Sequence, residues 1–105
     1  MILTTTDELP GKKYEILGIV EGSTVQSVHM GKDIMNSLKT LVGGELNSYN
    51  EMMNDARQLA TRRMIERAEE LHADAIVCVR YSSSSIMQGA AEIIAYGSAV
   101  KIVSE

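Results

Sequence analysis

The sequence predicts an α+β fold, a small antiparallel or mixed sheet packed on one long helix plus a short helix. Two patterns carry this expectation. A charged, helically periodic run spans residues 48–71, and the two segments after it, 75–81 and 90–103, are apolar on both faces. A third observation gives the consequence. In a chain of 105 residues one helix layer covers one face of the sheet, so the second face calls for another cover, most simply a second copy of the chain. The length fits one domain over residues 1–105.

The elements follow in order. Residues 2–5 are β-prone, with threonines that suit a pleated surface. Leu9-Pro10-Gly11 is a strong turn signal. Residues 14–20 read as a strand. Tyr14, Ile16, Gly18 and Val20 form the face to be buried, and Glu15, Leu17, Ile19 and Glu21 form the other. Gly22-Ser23-Thr24 continues it with a bulge or bend. Residues 33–42 read as a short helix with Asp33 as N-cap, closed by Gly43-Gly44.

The long helix opens on Ser48 and Glu51, a capping-box spacing. Its apolar stripe is Tyr49, Met52, Met53, Ala56, Leu59, Ala60, Met64, Ala68 and Leu71. Arg62 and Glu66 stand at ion-pair spacing. Residues 82–88 are polar and read as a turn between two antiparallel strands. A turn centred near Ile86 would set Arg80 opposite Glu92.

Composition narrows the function classes. No run approaches the roughly 18 apolar residues of a membrane span. The first residues lack the basic and apolar regions of a signal peptide. Cys78, the single cysteine, cannot make an intrachain disulfide, which fits the cytoplasm. The net charge of −4 and the absence of Phe and Trp argue against nucleic-acid binding. The sequence leaves the cofactor unknown.

Four kinds of chemistry have candidate residues in the chain, and each has a simpler structural reading. His29, His72 and Cys78 are the metal-ligand candidates, yet they lack zinc-site spacing. Cys78, between valines, reads as a small buried hydrophobe and not as a reactive thiolate. His72 suits the C-terminus of the long helix, where a partial positive charge meets the helix dipole. Met30-Gly31-Lys32-Asp33 resembles the tail of a phosphate loop, but position 26 is Gln and no hydroxyl follows the lysine. Gly43-Gly44 before a helix could cradle an anion, and Glu45 opposes it. Glu45 and Glu92 are the two carboxylates in the least solvated settings. Arg57 or Arg80 would serve Glu92 as a structural ion-pair partner.

An ordered set of short motifs gives a resemblance. These are the run from Thr4 to Gly11, Leu17-Gly18-Ile19-Val20, Gly31-Lys32-Asp33-Ile34, and Val42-Gly43-Gly44-Glu45-Leu46. Tyr49, Ala56-Arg57, Ala73-Asp74-Ala75 and the run from Gly89 to Val100 complete it. The chain resembles the YbjQ-like family of small bacterial and archaeal proteins, which carries a heavy-metal-binding label. The resemblance covers essentially the whole chain. It implies a dodecin-like arrangement, a small sheet wrapped against a long helix, assembled as a ring of five. Three departures stand out. Leu71-His72-Ala73 has a histidine where the family has a glycine. Tyr96-Gly97-Ser98-Ala99 has serine for threonine. Thr24-Val25-Gln26-Ser27 lacks an arginine often found there.

The sequence reading is therefore a non-enzymatic, cytoplasmic homo-oligomer, a pentamer by resemblance, with a structural or small-ligand-binding role at a subunit interface. The candidate ligand residues are Glu45, Tyr49, Arg57, Glu92 and Tyr96. The alternative is a heavy-metal-binding protein whose ligands, His29, His72 and Cys78, come from more than one subunit.

Overall fold

Apolar β-branched residues and a helix of small side chains dictate a two-layer packing in the computed structural model, which describes residues 1–27, 45–87 and 90–104. The elements are β1 (Ile2–Leu3), β2 (Lys13–Ser27), α1 (Glu45–Glu70), β3 (Ala75–Met87) and β4 (Ala90–Ser104). The four strands form one mixed sheet in the order β1-β3-β4-β2. β1 runs parallel to β3, and β4 pairs antiparallel with both β3 and β2. The short helix expected over residues 33–42, its Gly43-Gly44 stop, the phosphate-loop-like segment and His29 all lie outside the described residues.

The α+β class is as expected, and several local readings are corrected. The long helix starts at Glu45, so Ser48 lies inside its first turn and is not its N-cap. Residues 82–87 do not turn. They extend β3, because β4 offers Ile94 and Ile93 as cross-strand partners for Ser82 and Ser83. Arg80 consequently pairs with Tyr96, and Glu92 pairs with Ser84. Arg62 and Glu66 make no ion pair. Both are exposed to water, where such pairs gain little, and the helix instead sets Arg67 3.9 Å from Glu70.

A bulge splits the face expected for the first strand. The β2–β4 register shifts between Ile16 and Gly18, and Gly18 takes a φ of +150°, a region closed to other residues. Val20, Gly22 and Thr24 after the bulge are buried beneath the helix. Ile16, before it, is 69% exposed.

The helix buries Ala56, Ala60, Met64 and Ala68, one residue per turn. They pack on Val20, Ile76, Val79, Ile93, Ala95 and Ala99. Three alanines in this stripe let the helix lie close to the sheet, and Gly22 takes up the tightest approach. A Cβ there would stand 2.2 Å from Ala60 O and 2.3 Å from Met64 N.

The helix ends where His72 adopts a φ of 60°. His72 N–H donates to Glu69 C=O at 2.9 Å and Ala73 N–H to Ala68 C=O at 3.0 Å, a Schellman closure. Thus the histidine itself takes the left-handed position that glycine usually fills. Asp74 then ties the turn to β4. Its carboxylate accepts the Ile102 N–H at 2.9 Å and lies 3.5 Å from Lys101 Nζ.

A second, smaller core sits on the other face of the sheet. Leu9, carried by the Leu9-Pro10-Gly11 turn, packs on Ala75, Val77 and Val100, with Tyr14, Cys78 and Ile102 around them. The turn forms as read, with Lys12 N–H donating to Leu9 C=O at 2.9 Å. Arg80 fastens the same segment, donating to Thr5 C=O at 2.9 Å.

Candidate functional site

Period-two alternation along β2, β3 and β4 places a patch of side chains on the face away from the helix. Beyond the Leu9 cover it is built from Ile19, Glu21 and Val25 of β2, Ile94 and Tyr96 of β4, and Arg80 of β3. Ile19 is 82% exposed, Val25 56% and Tyr96 39%. Large apolar side chains standing open on a sheet face mark an interaction surface. Among the described residues no helix or strand covers it.

The flanks of the helix carry two grooves. One, of about 760 Å³, runs between the helix and edge strand β2, where Arg63 donates to Ser23 C=O at 2.6 Å. The other, of about 620 Å³, lies on the β3 side and is lined by Arg57, Arg62 and Tyr81. Tyr81 and Thr61 share a hydrogen bond of 2.8 Å across it.

The candidate ligand residues fall at three places. Glu45 and Tyr49 lie in the first turns of α1. Arg57 is exposed on the helix flank and donates to Asn54 Oδ1. Glu92 and Tyr96 share the face of β4 that points away from the helix. Within one chain the sheet therefore separates Arg57 from Glu92 and Tyr96. Neither Arg57 nor Arg80 forms an ion pair with Glu92, since Arg80 is turned to the Thr5 carbonyl. Tyr81, Thr61 and Arg62 line a groove that the sequence reading passed over. Its one signal was an aromatic residue next to a run of serines.

Cys78 is half-buried, and it is not the regular strand position expected. It sits at a bulge between Val77 and Arg80 with a φ of 56°, its N–H donating to Thr6 C=O at 3.0 Å. His72 is exposed at the helix end. Among the described residues, no three His, Cys, Asp or Glu side chains come together as a metal site would require. The donor set of one described chain does not fit a heavy-metal centre.

Among the described residues, Asp74 has a displaced titration. The Ile102 N–H donating to its carboxylate holds its pKa below the ordinary value, burial opposes this in part, and the Lys101 ammonium adds to the lowering. Its place at the helix–strand turn makes this a structural feature.

Among the described residues, fold and surface together define a small α+β unit with one sheet face covered by the helix and the other left open beyond Leu9. Comparison with known proteins places it more closely. A YbjQ family model, described as "Putative heavy-metal-binding", matches residues 1–103. A UPF0145 protein of Clostridium novyi (strain NT) is 58% identical over 103 residues, covering 98% of this chain and all of the relative. A UPF0145 protein of Thermosipho melanesiensis is 61% identical over 104 residues, covering 98% of this chain and 96% of the relative. The chain belongs to this UPF0145/YbjQ family. A crystal structure from Pediococcus pentosaceus, titled as a protein of unknown function in the DUF74 family, shares the fold. Its TM-score is 0.63 at 20% identity, covering 98% of each chain. No helix among the described residues is long and apolar enough to cross a membrane.

Proposed function

We propose that the chain is a non-enzymatic, cytoplasmic homo-oligomer, a ring of five, whose working surface is formed between subunits. The observation that carries this reading is the open sheet face, where Ile19, Val25 and Tyr96 stand exposed beside Glu21 and Arg80. Covering it with a second copy would remove apolar surface from water at about 25 cal/mol per Å². It would also explain why one chain separates Arg57 from Glu92 and Tyr96. A small-ligand site using Glu45, Tyr49, Arg57, Glu92 and Tyr96 would take residues from adjoining copies. Analytical ultracentrifugation tests the assembly: a sedimenting ring is expected, and a monomer at micromolar concentration would refute it.

A second reading rests on the family description, which names heavy-metal binding. In that reading His29, His72 and Cys78 of neighbouring copies would hold the ion, with Cys78 supplying the soft donor. Elemental analysis of the protein purified without added metal, beside Cys78→Ser, checks it. Stoichiometric metal lost in the variant would support the reading, and metal-free protein that takes up no Zn(II) or Cu(I) would end it.

A further inference from the structure

We infer that the groove between α1 and β3 binds a small aromatic phosphate monoester, a flat ring carrying one phosphoryl group. All of its residues lie on one chain, so the site stands apart from the homo-oligomer reading.

The groove, of about 620 Å³, has the size of a small-molecule site. Its charge is one-sided. Arg57 and Arg62 line it, and no carboxylate is among its described lining residues. The chain as a whole carries a net charge of −4, so two guanidinium groups without a carboxylate between them run against the average of the molecule. Glu66, one turn on from Arg62, lines the groove on the other flank of the helix instead. Arg62 is exposed, and among the described residues it makes no hydrogen bond or ion pair. Arg57 is steadied by donating to Asn54 Oδ1, and its other N–H groups are left for a ligand.

The wall facing the arginines is fixed by a short chain of hydrogen bonds. Thr61 Oγ1 donates to Arg57 C=O at 2.7 Å, which engages its proton. The 2.8 Å bond between Thr61 and Tyr81 is therefore donated by the phenol. The two bonds tie strand to helix and hold the Tyr81 ring at the groove. Tyr81 is 49% exposed. Its proton is engaged within the protein, so what it offers a ligand is an apolar ring. Ile65, half-buried and packed on the core, adds a second apolar contact.

This combination selects the ligand class. Arg57 and Arg62 are five residues apart, about 7.5 Å along the helix axis, and they straddle Thr61 and Ile65. Their long side chains reach far enough to converge on one phosphoryl group. Such a group carries about −1.5 to −2 charges near neutral pH, which suits two guanidinium groups better than the single charge of a carboxylate. Guanidinium meets phosphate through paired N–H···O bonds. An aromatic body beside the phosphate packs on Tyr81 and Ile65. A nucleic-acid backbone needs a longer basic track than these two arginines supply.

The test is isothermal titration of the full-length, untagged protein with phenyl phosphate near neutral pH, beside inorganic phosphate and benzoate. Arg62→Gln and Tyr81→Ser are the variants, because neither residue belongs to the proposed inter-subunit site. Saturable binding of one phenyl phosphate per chain is expected, roughly tenfold or more tighter than either control anion. Arg62→Gln should weaken phenyl phosphate and inorganic phosphate alike, by about tenfold. Tyr81→Ser should bring phenyl phosphate down to the affinity of inorganic phosphate and leave the latter unchanged. No saturable binding, equal affinity for the three anions, or binding unaltered in Arg62→Gln would overturn the site. Native mass spectrometry of each variant closes the remaining alternative: an assembly changed by Arg62→Gln would make this groove a subunit contact and overturn the ligand site as well. A monomeric wild type that binds phenyl phosphate would refute the homo-oligomer reading and leave this site standing.

Discussion

At Gly22 the helix backbone passes so close that a methyl group would stand 2.2 Å from Ala60 O and 2.3 Å from Met64 N. Neither atom can rotate away, so the helix as a whole would have to lift. Gly22→Ala should cost about 3 kcal/mol, read as a lower urea midpoint. His72 presents the opposite case. It holds a left-handed φ of 60° that glycine adopts without strain, and its side chain is exposed. His72→Gly should raise stability by about 0.5–1 kcal/mol in the same measurement, the relief of strain exceeding the entropy that glycine adds to the unfolded chain. Such positions differ in how far the sequence announces them. A glycine within a β-prone run signals a bend or a close approach. Nothing in the letters His72 or Cys78 signals a positive φ, because the surrounding fold imposes it.

Between elements, the turn from α1 to β3 is fastened to β4 by Asp74, whose carboxylate accepts the Ile102 N–H and faces Lys101. The hydrogen bond lowers the pKa of Asp74 in the folded state below its ordinary 3.8. The stabilisation is therefore present above the unfolded value and is lost as pH falls through the lowered folded one. Urea midpoints taken from neutral pH down to about pH 2 should show this component in the wild type. They should show it missing in Asp74→Asn, which keeps an acceptor for Ile102 but has no proton to bind. The element pattern itself was largely legible. Period 3.6 in the helix and two-sided apolar runs in β3 and β4 identify the layers. The polar run Ser82-Ser83-Ser84-Ser85 misleads, since serine suits turns, and only the partner strand, with Ile93 and Ile94, holds it extended. The bulge at Ile16–Gly18 likewise reassigns the first half of β2 to the other face, and an alternation pattern cannot reveal a one-residue slip.

At the scale of the whole molecule, the described chain is elongated, 57 × 22 × 17 Å, with a radius of gyration of 17.3 Å. A compact domain of this length would have about 13 Å. Strand-end residues such as Ile86 and Met87, 50% and 62% exposed, gain little cover from the other described residues. The candidate site was legible only in part for a related reason. Alternation tells that Glu92 and Tyr96 share a face, but the helix chooses which face it covers through contacts distant in sequence. That choice leaves Arg57 on the far side of the sheet from both.

In the proposed function, further copies of the chain complete the surface left open among the described residues. Native mass spectrometry of untagged protein at micromolar concentration tests it most directly. One dominant species at a multiple of the 11.5 kDa chain mass is expected, five copies in the proposed ring. A monomer as the dominant species would contradict it.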